Sequence, residues 1–154
     1  MNTIFLKIDG IKGESKDADH SEWTDVNAYS WGVKRVAVTP GGKGGANYHN
    51  LTVHCQVDKT TAGALLFTSN GNRIRSVVLS ACKAGNGQIE YYKITLENAI
   101  LVEVLFTDHG AITNVEYEFE SDKVKFQYWE QSALGGKGAE TRMGWDIKNS
   151  TSYF

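Results

Sequence analysis

Ile4-Phe-Leu-Lys-Ile-Asp-Gly-Ile-Lys-Gly-Glu-Ser15 is the stretch that sets the reading of this chain. Ile4, Leu6 and Ile8 alternate with Phe5, Lys7 and Asp9, the period-2 pattern of a strand with one buried face. Gly10 and Gly13 then bracket Ile11-Lys12, and glycines so placed allow a tight turn through positive φ. Glu14-Ser15-Lys16-Asp17 continues as a polar loop. The first expectation is an edge or barrel strand that runs into a turn.

Working outward, the same period recurs. Tyr29, Trp31 and Val33 share one phase, which assigns Trp31 to the core. Leu51, Val53, Cys55 and Val57 share another. Ile74 to Cys82 is apolar and Ile89 to Leu96 is aromatic and β-branched. Ile100, Val102, Val104 and Phe106 alternate, as do Val115, Tyr117 and Phe119, and then Val124, Phe126 and Tyr128. About eight strands with Gly-, Asn- or Asp-rich links predict a sandwich or barrel. One segment differs: Asp58 or Thr60 can cap a short helix with an apolar middle, Ala62 to Phe67, that stops at Asn70-Gly71. This helix, near residues 60–70, is expected to plug or cover the barrel. The fold class is therefore mainly β, an antiparallel barrel of two packed sheets with one short α-helix. At 154 residues a single domain over 1–154 is expected, burying about 68–70% of its unfolded surface.

Residues 115–128 predict a hairpin with its turn at Ser121-Asp122. Glu120 would then face Lys123, and Glu118 would face Lys125. On the other face Phe119 meets Val124 and Tyr117 meets Phe126. Opposite charges pair on one side and apolar groups on the other, each pair contributing about 0.2–1 kcal/mol.

Net charge is −2, so no global field draws the chain to nucleic acid or anionic lipid. No window approaches the ~20 apolar residues of a membrane span. The apolar start is short and broken by Lys7 and Asp9, unlike a secretory signal. The expectation is synthesis in the cytoplasm and, if the protein leaves the cell, a route other than an N-terminal signal. Cys55 and Cys82 are the two cysteines. Cys55 reads as a buried free thiol, and the spacing permits a Cys55–Cys82 disulfide without requiring one.

Residue types that carry chemistry do not assemble into a motif. Gly42-Lys43 and Gly136-Lys137 are followed by Gly44 and Gly138, where a phosphate loop needs Ser or Thr. His20, His49, His54 and His109 are scattered and read as surface residues. His54 and Cys55 point to opposite faces of a strand, and zinc-type Cys and His spacings are missing. No Gly-x-Ser-x-Gly elbow occurs, and Glu116, Glu118 and Glu120 share one face rather than opposing each other across a cleft. No catalytic residue, metal or cofactor is assigned, and the chain reads as a structural or binding protein rather than an enzyme. Three classes stay open: a structural protein, a small-ligand barrel, and a carbohydrate-binding module that uses Trp23 or Trp129.

The wording of several segments resembles the Hcp family, the hemolysin-coregulated tube proteins of bacterial type VI secretion. These are Ile4–Ser15, His20, Asp25-Val26, Ser30-Trp31-Gly32, the glycine-rich 41–46, Val57-Asp-Lys-Thr-Thr61, Glu90-Tyr-Tyr-Lys-Ile-Thr-Leu96 and Gly144-Trp-Asp-Ile-Lys148. They fall in the family's order across nearly the whole chain. Two departures are Ala62, where the family usually has proline, and Val33–Pro40. The resemblance implies a β-barrel that forms hexameric rings stacked into a tube inside a contractile sheath. It further implies a spike protein (VgrG) at the tip, small effectors in the lumen, and export by the type VI system. Glycine-rich loops are expected to order on contact with neighbours. Ring contacts are expected at Pro40, Gly41, Gly42, Lys43, Gly44, Gly45, Ala46, Asn47, Tyr48 and His49, with the barrel edges. Ring stacking is expected at Gly85, Asn86, Gly87, Gly135, Gly136 and Lys137.

Overall fold

The opening stretch forms strand β1, Asn2–Ile8, and both of its faces are used. Leu6 and Ile8 enter the core. Phe5, expected on the open face with Lys7, is also buried, because the loop that follows folds back and stacks the His20 ring on it at 4.1 Å. Gly10 takes φ +91°, and a Cβ at Gly13 would stand 2.6 Å from Thr24 Oγ1 and against the Trp23 carbonyl. The two glycines therefore do different work, one in turning the chain and one in letting backbone approach backbone.

A computed structural model describes residues 2–37, 45–85, 87–111 and 113–154. The remaining elements are β2 (Thr24–Val26), β3 (Ala28–Ser30), β4 (Val33–Val36), β5 (Gly45–Tyr48), β6 (Leu51–Gln56), α1 (Lys59–Asn70), β7 (Ile74–Gly85), β8 (Gly87–Asp108), β9 (Thr113–Gln131), β10 (Lys137–Asp146) and β11 (Thr151–Ser152). All pairings are antiparallel. A nine-stranded sheet runs β11-β10-β9-β8-β7-β1-β2, with β6 also on β9 and β3 on β6; β4 and β5 form a separate two-stranded ribbon. The mainly-β expectation holds, but the sheet is not a closed ring of ladders. Among the described residues β2 pairs only β1 and β3 pairs only β6. Asn27, between them, donates its N–H to the His54 carbonyl at 2.8 Å. Chain continuity at Asn27, not a ladder, links the two sides.

The predicted hairpin at 121–122 does not exist: residues 113–131 are one strand. Its core positions are Val115, Tyr117 and Phe119, then Val124, with Trp129 buried outside the core cluster, so the inward phase switches from odd to even numbers between Phe119 and Val124. That switch is what resembled a turn. The partner strand switches at the same level: Ile94 and Leu96 are buried, then Ala99 and Leu101. Leu96 pairs with Val124 and Leu101 with Phe119. Between those levels Asn98 takes φ +49°, and its Nδ2 bonds the Asp122 carboxylate. A shared kink in two long strands thus replaces a turn in one. Likewise Ile89–Leu96 and Ile100–Phe106 lie on the single strand β8. Alternation predicted burial of Val102 and Phe106 with Ile100 and Val104, but Val102 is exposed because the phase has already moved to Leu101, and Phe106 is exposed although a bulge between Leu101 and Glu103 puts it in register with Val115.

The helix follows its sequence signals. Asp58 caps it: Oδ1 accepts from the Thr60 N–H at 2.8 Å, and Thr61 Oγ1 accepts from the Asp58 N–H at 3.1 Å. Gly71, at φ 68°, ends it, where glycine adopts the left-handed conformation without a Cβ penalty. Gly63, a weak helix former, is where the Ile11 side chain approaches the helix. Ala64 enters the core, and Thr61 Oγ1 bonds the Tyr117 hydroxyl at 2.7 Å. Burial of Tyr117 and Phe119, both fully enclosed, stabilises this junction by about 1.5–3 kcal/mol per side chain.

Cys55 is a buried free thiol, as expected, and burial, then Asp58 and Asp25, pushes it up to about 12. Cys82 is also free and buried, so the two do not form a disulfide.

Candidate assembly surfaces

The chain leaves the body at Ser30, the last residue of β3, and returns at Leu51, the first of β6. Between them, among the described residues, β4 and β5 pair only with each other, Val33 opposite Tyr48 and Val36 opposite Gly45. β3–β4 and β5–β6 thus form one long hairpin whose distal half runs past the sheet. Its base is fixed by Trp31 against Tyr48, with ring centroids 6.0 Å apart, and by His49 N–H to the Gly32 carbonyl at 2.9 Å. Trp31 does pack on the core, but Val33, in its phase, is 54% exposed, because the sheet beneath it has ended. At the base, Trp31, Tyr48, Leu51, Phe119 and Val124 line a cleft of about 210 Å³. Residues 31–50 contain Lys34, Arg35 and Lys43 and no Asp or Glu.

Of the predicted ring contacts, Gly45, Ala46, Asn47 and Tyr48 form β5 and His49 follows it; all but Tyr48 are exposed. Pro40, Gly41, Gly42, Lys43 and Gly44 lie outside the described residues, as does Asn86. Gly85 and Gly87 pair across the β7–β8 turn. Gly135, at φ +85°, and Gly136 make the β9–β10 turn, which Ser132 closes: its N–H donates to the Gly136 carbonyl at 2.8 Å and its Oγ accepts from Gly136 N–H at 3.0 Å. Leu134 at that tip is 96% exposed. Tyr92 lies opposite Tyr128, so both glycine turns sit at the same end of the sheet.

Lys137 corrects the loop reading of 135–139, since it starts β10 and is tied down. Its Nζ meets Glu90 Oε1 at 2.9 Å and lies 3.8 Å from the Trp129 ring centroid. Trp129 Nε1 donates to Glu140 Oε1 at 3.0 Å. Burial raises the Glu90 carboxyl, but the Ser80 hydroxyl and Lys137 outweigh it and hold it below its ordinary value. The same network corrects His20, expected on the surface. It is 6% exposed, with Nδ1 2.7 Å from Asp17 Oδ2 and Nε2 3.1 Å from Ser80 Oγ. Trp23 packs edge-on to His20. Trp23 and Trp129 are thus held within the fold rather than arrayed as an open sugar platform.

Sequence reasoning missed the outer edge of β10. Alternation of Ala139, Thr141, Met143 and Trp145 was there to signal the strand. Among the described residues, strand pairing on that edge is limited to Trp145 and Asp146, which meet Ser152 and Thr151 of β11. From Lys137 to Met143 no described strand covers it. Unpaired N–H and C=O groups on a strand edge are a template for another chain.

An antiparallel β body with an uncovered edge and a self-paired ribbon projecting from it is a module shaped for contact with further chains. The comparisons specify which. Residues 5–132 match the family described as type VI secretion system effector, Hcp. The chain is 34% identical to the protein Hcp1 of Pseudomonas aeruginosa over 157 positions, covering 96% of each. It is 27% identical to the crystal structure of Hcp1 from Salmonella typhimurium, with a TM-score of 0.85 and 99% of each chain covered. A type six secretion system protein of 18% identity shares the fold at a TM-score of 0.89. The chain belongs to the Hcp family and is a tube protein of type VI secretion. This favours the assembling class over the small-ligand and carbohydrate classes.

Proposed function

We propose that this chain forms hexameric rings that stack into the secretion tube and carry small effectors in their lumen. The observation that carries it is the combination of a β10 edge that no described strand covers from Lys137 to Met143 with a β4–β5 ribbon that, among the described residues, forms a strand ladder separate from the main sheet. The edge is a template for a further strand, the ribbon exposes Val33 and Val36, and further copies of the chain would cover both. A contact between two different surfaces closes into a ring when its rotation closes, and rings so formed stack into a filament.

In this reading Gly45–His49 and the β10 edge carry the ring contacts. The turns at Gly85–Gly87 and Gly135–Lys137, together at one end, carry the stacking. A spike protein of the VgrG type, the contractile sheath and secreted effectors are the partners, and the chain is a structural component rather than an enzyme. It leaves the cell through the system it builds. Size-exclusion chromatography with light scattering tests the assembly: a particle of six 17.0 kDa chains is expected. A strict monomer at every concentration overturns it.

A further inference from the structure

The segment after β10 is bound to the body more tightly than its length suggests. Thr151 and Ser152 pair with Asp146 and Trp145, and Tyr153 N–H continues the ladder to the Gly144 carbonyl at 3.2 Å. The Tyr153 hydroxyl donates to Glu97 Oε1 at 2.7 Å on β8, across β10 and β9. Glu97 also meets Lys125 Nζ at 3.0 Å. The Phe154 ring lies 4.6 Å from Lys125 Nζ and 4.5 Å from Arg142 Cζ. Gly144 makes room for this: a Cβ there would meet Phe154 Cβ at 2.8 Å and the Tyr153 carbonyl closer still.

Two residues of ladder do not need such anchoring for local stability, since the edge they cover is exposed over the rest of β10. What the anchoring does is fix where the free edge ends. Residues 144–146 are occupied from within the chain, while 137–143 are left open.

We propose that Thr151–Phe154 is a built-in stop on the β10 edge, which confines a strand from a second copy to residues 137–143 and so sets the register of assembly. This rests on the assembly reading above. A strand ladder is specified by side-chain phase only modulo two residues, so two-residue slips along an exposed edge conserve the facing pattern. A blocked end removes those slips in one direction. Tyr153 and Phe154 lock the block through Glu97, Lys125 and Arg142, three side chains that belong to three different strands.

The test compares the full chain with a truncation after Ser150 and with Gly144→Ala, which keeps the segment but expels it sterically. Hydrogen exchange by mass spectrometry is followed before and after assembly, alongside particle mass. In the wild type, amides at 144–146 are protected before assembly and those at 137–143 gain protection on assembly. In both variants, 144–146 are expected to lose protection in the free chain and regain it on assembly, with a broadened particle-mass distribution. Variants that assemble to the wild-type mass with 144–146 still unprotected overturn the stop. So does failure of both variants to fold, which would make the segment part of the core structure. A wild type that never assembles overturns the assembly reading itself, and that outcome is recognised without any variant.

Discussion

The body and the β4–β5 ribbon are both built of antiparallel pairs, yet they end in opposite states. β9 places Val115, Tyr117 and Phe119 inside the molecule at 1% exposure or less, whereas the ribbon leaves Val33 and Val36 at 54% and 41%. Val115, Tyr117 and Phe119 share one face of β9, whereas Val33 and Val36 fall on opposite faces of β4. The covering layer differs as well: the body has α1 and the facing strands, and the ribbon, among the described residues, is packed on the core at its base by Trp31 and Tyr48. The body is therefore stabilised by its own burial, and the ribbon by what it will meet.

This contrast is open to attack at several strengths. Tyr117→Ala removes a fully buried ring and one of the two hydrogen-bond partners of Thr61 Oγ1. A loss of about 3–5 kcal/mol is expected in denaturant unfolding, and a loss near zero would break the assignment of β9 to the core. The glycines give a paired test. Gly13→Ala collides with the Trp23 backbone and is expected to cost about 1–3 kcal/mol. Gly45→Ala, in the ribbon with nothing within 4 Å, is expected to stay within about 0.5 kcal/mol. Equal effects would erase the distinction.

Glu90 sharpens the body side through pH. Its carboxyl is held below the ordinary 4.5, so its contribution is present above that value and is lost as pH falls through the lower folded value. Glu90→Gln is expected to remove about 1.5 kcal/mol at neutral pH and to flatten the acid limb of the melting curve below about pH 4.5. An unchanged acid limb would show that Lys137 and Ser80 do not act through Glu90. The smallest effect on stability belongs to the ribbon: Val33→Asp is expected to leave monomer unfolding within about 0.5 kcal/mol while abolishing higher-order particles in light scattering. Particles unaffected by this change would remove the ribbon from the interface.

Much of this was legible in the residues themselves. Asp58 and Gly71 bounded the helix because caps are local chemistry, and the odd-numbered set Val115–Phe119 marked a strand because burial has period 2. The hairpin at Ser121-Asp122 misled because a phase change within one strand looks the same for a turn and for a kink. Only the matching change on β8, between Leu96 and Ala99, separates them, and pairing is not written locally. His20 misled for a related reason: what buries it, Phe5 and Ser80, comes from strands distant in sequence. The glycines of 41–45 drew attention to residues 40–49. The β10 edge did not, because a strand becomes an edge only through what fails to pair with it.

Negative-stain microscopy of the purified full chain tests the central claim most directly. The account predicts rings with a central hole that stack end to end at higher concentration. Compact particles without a hole, at every concentration, would contradict it.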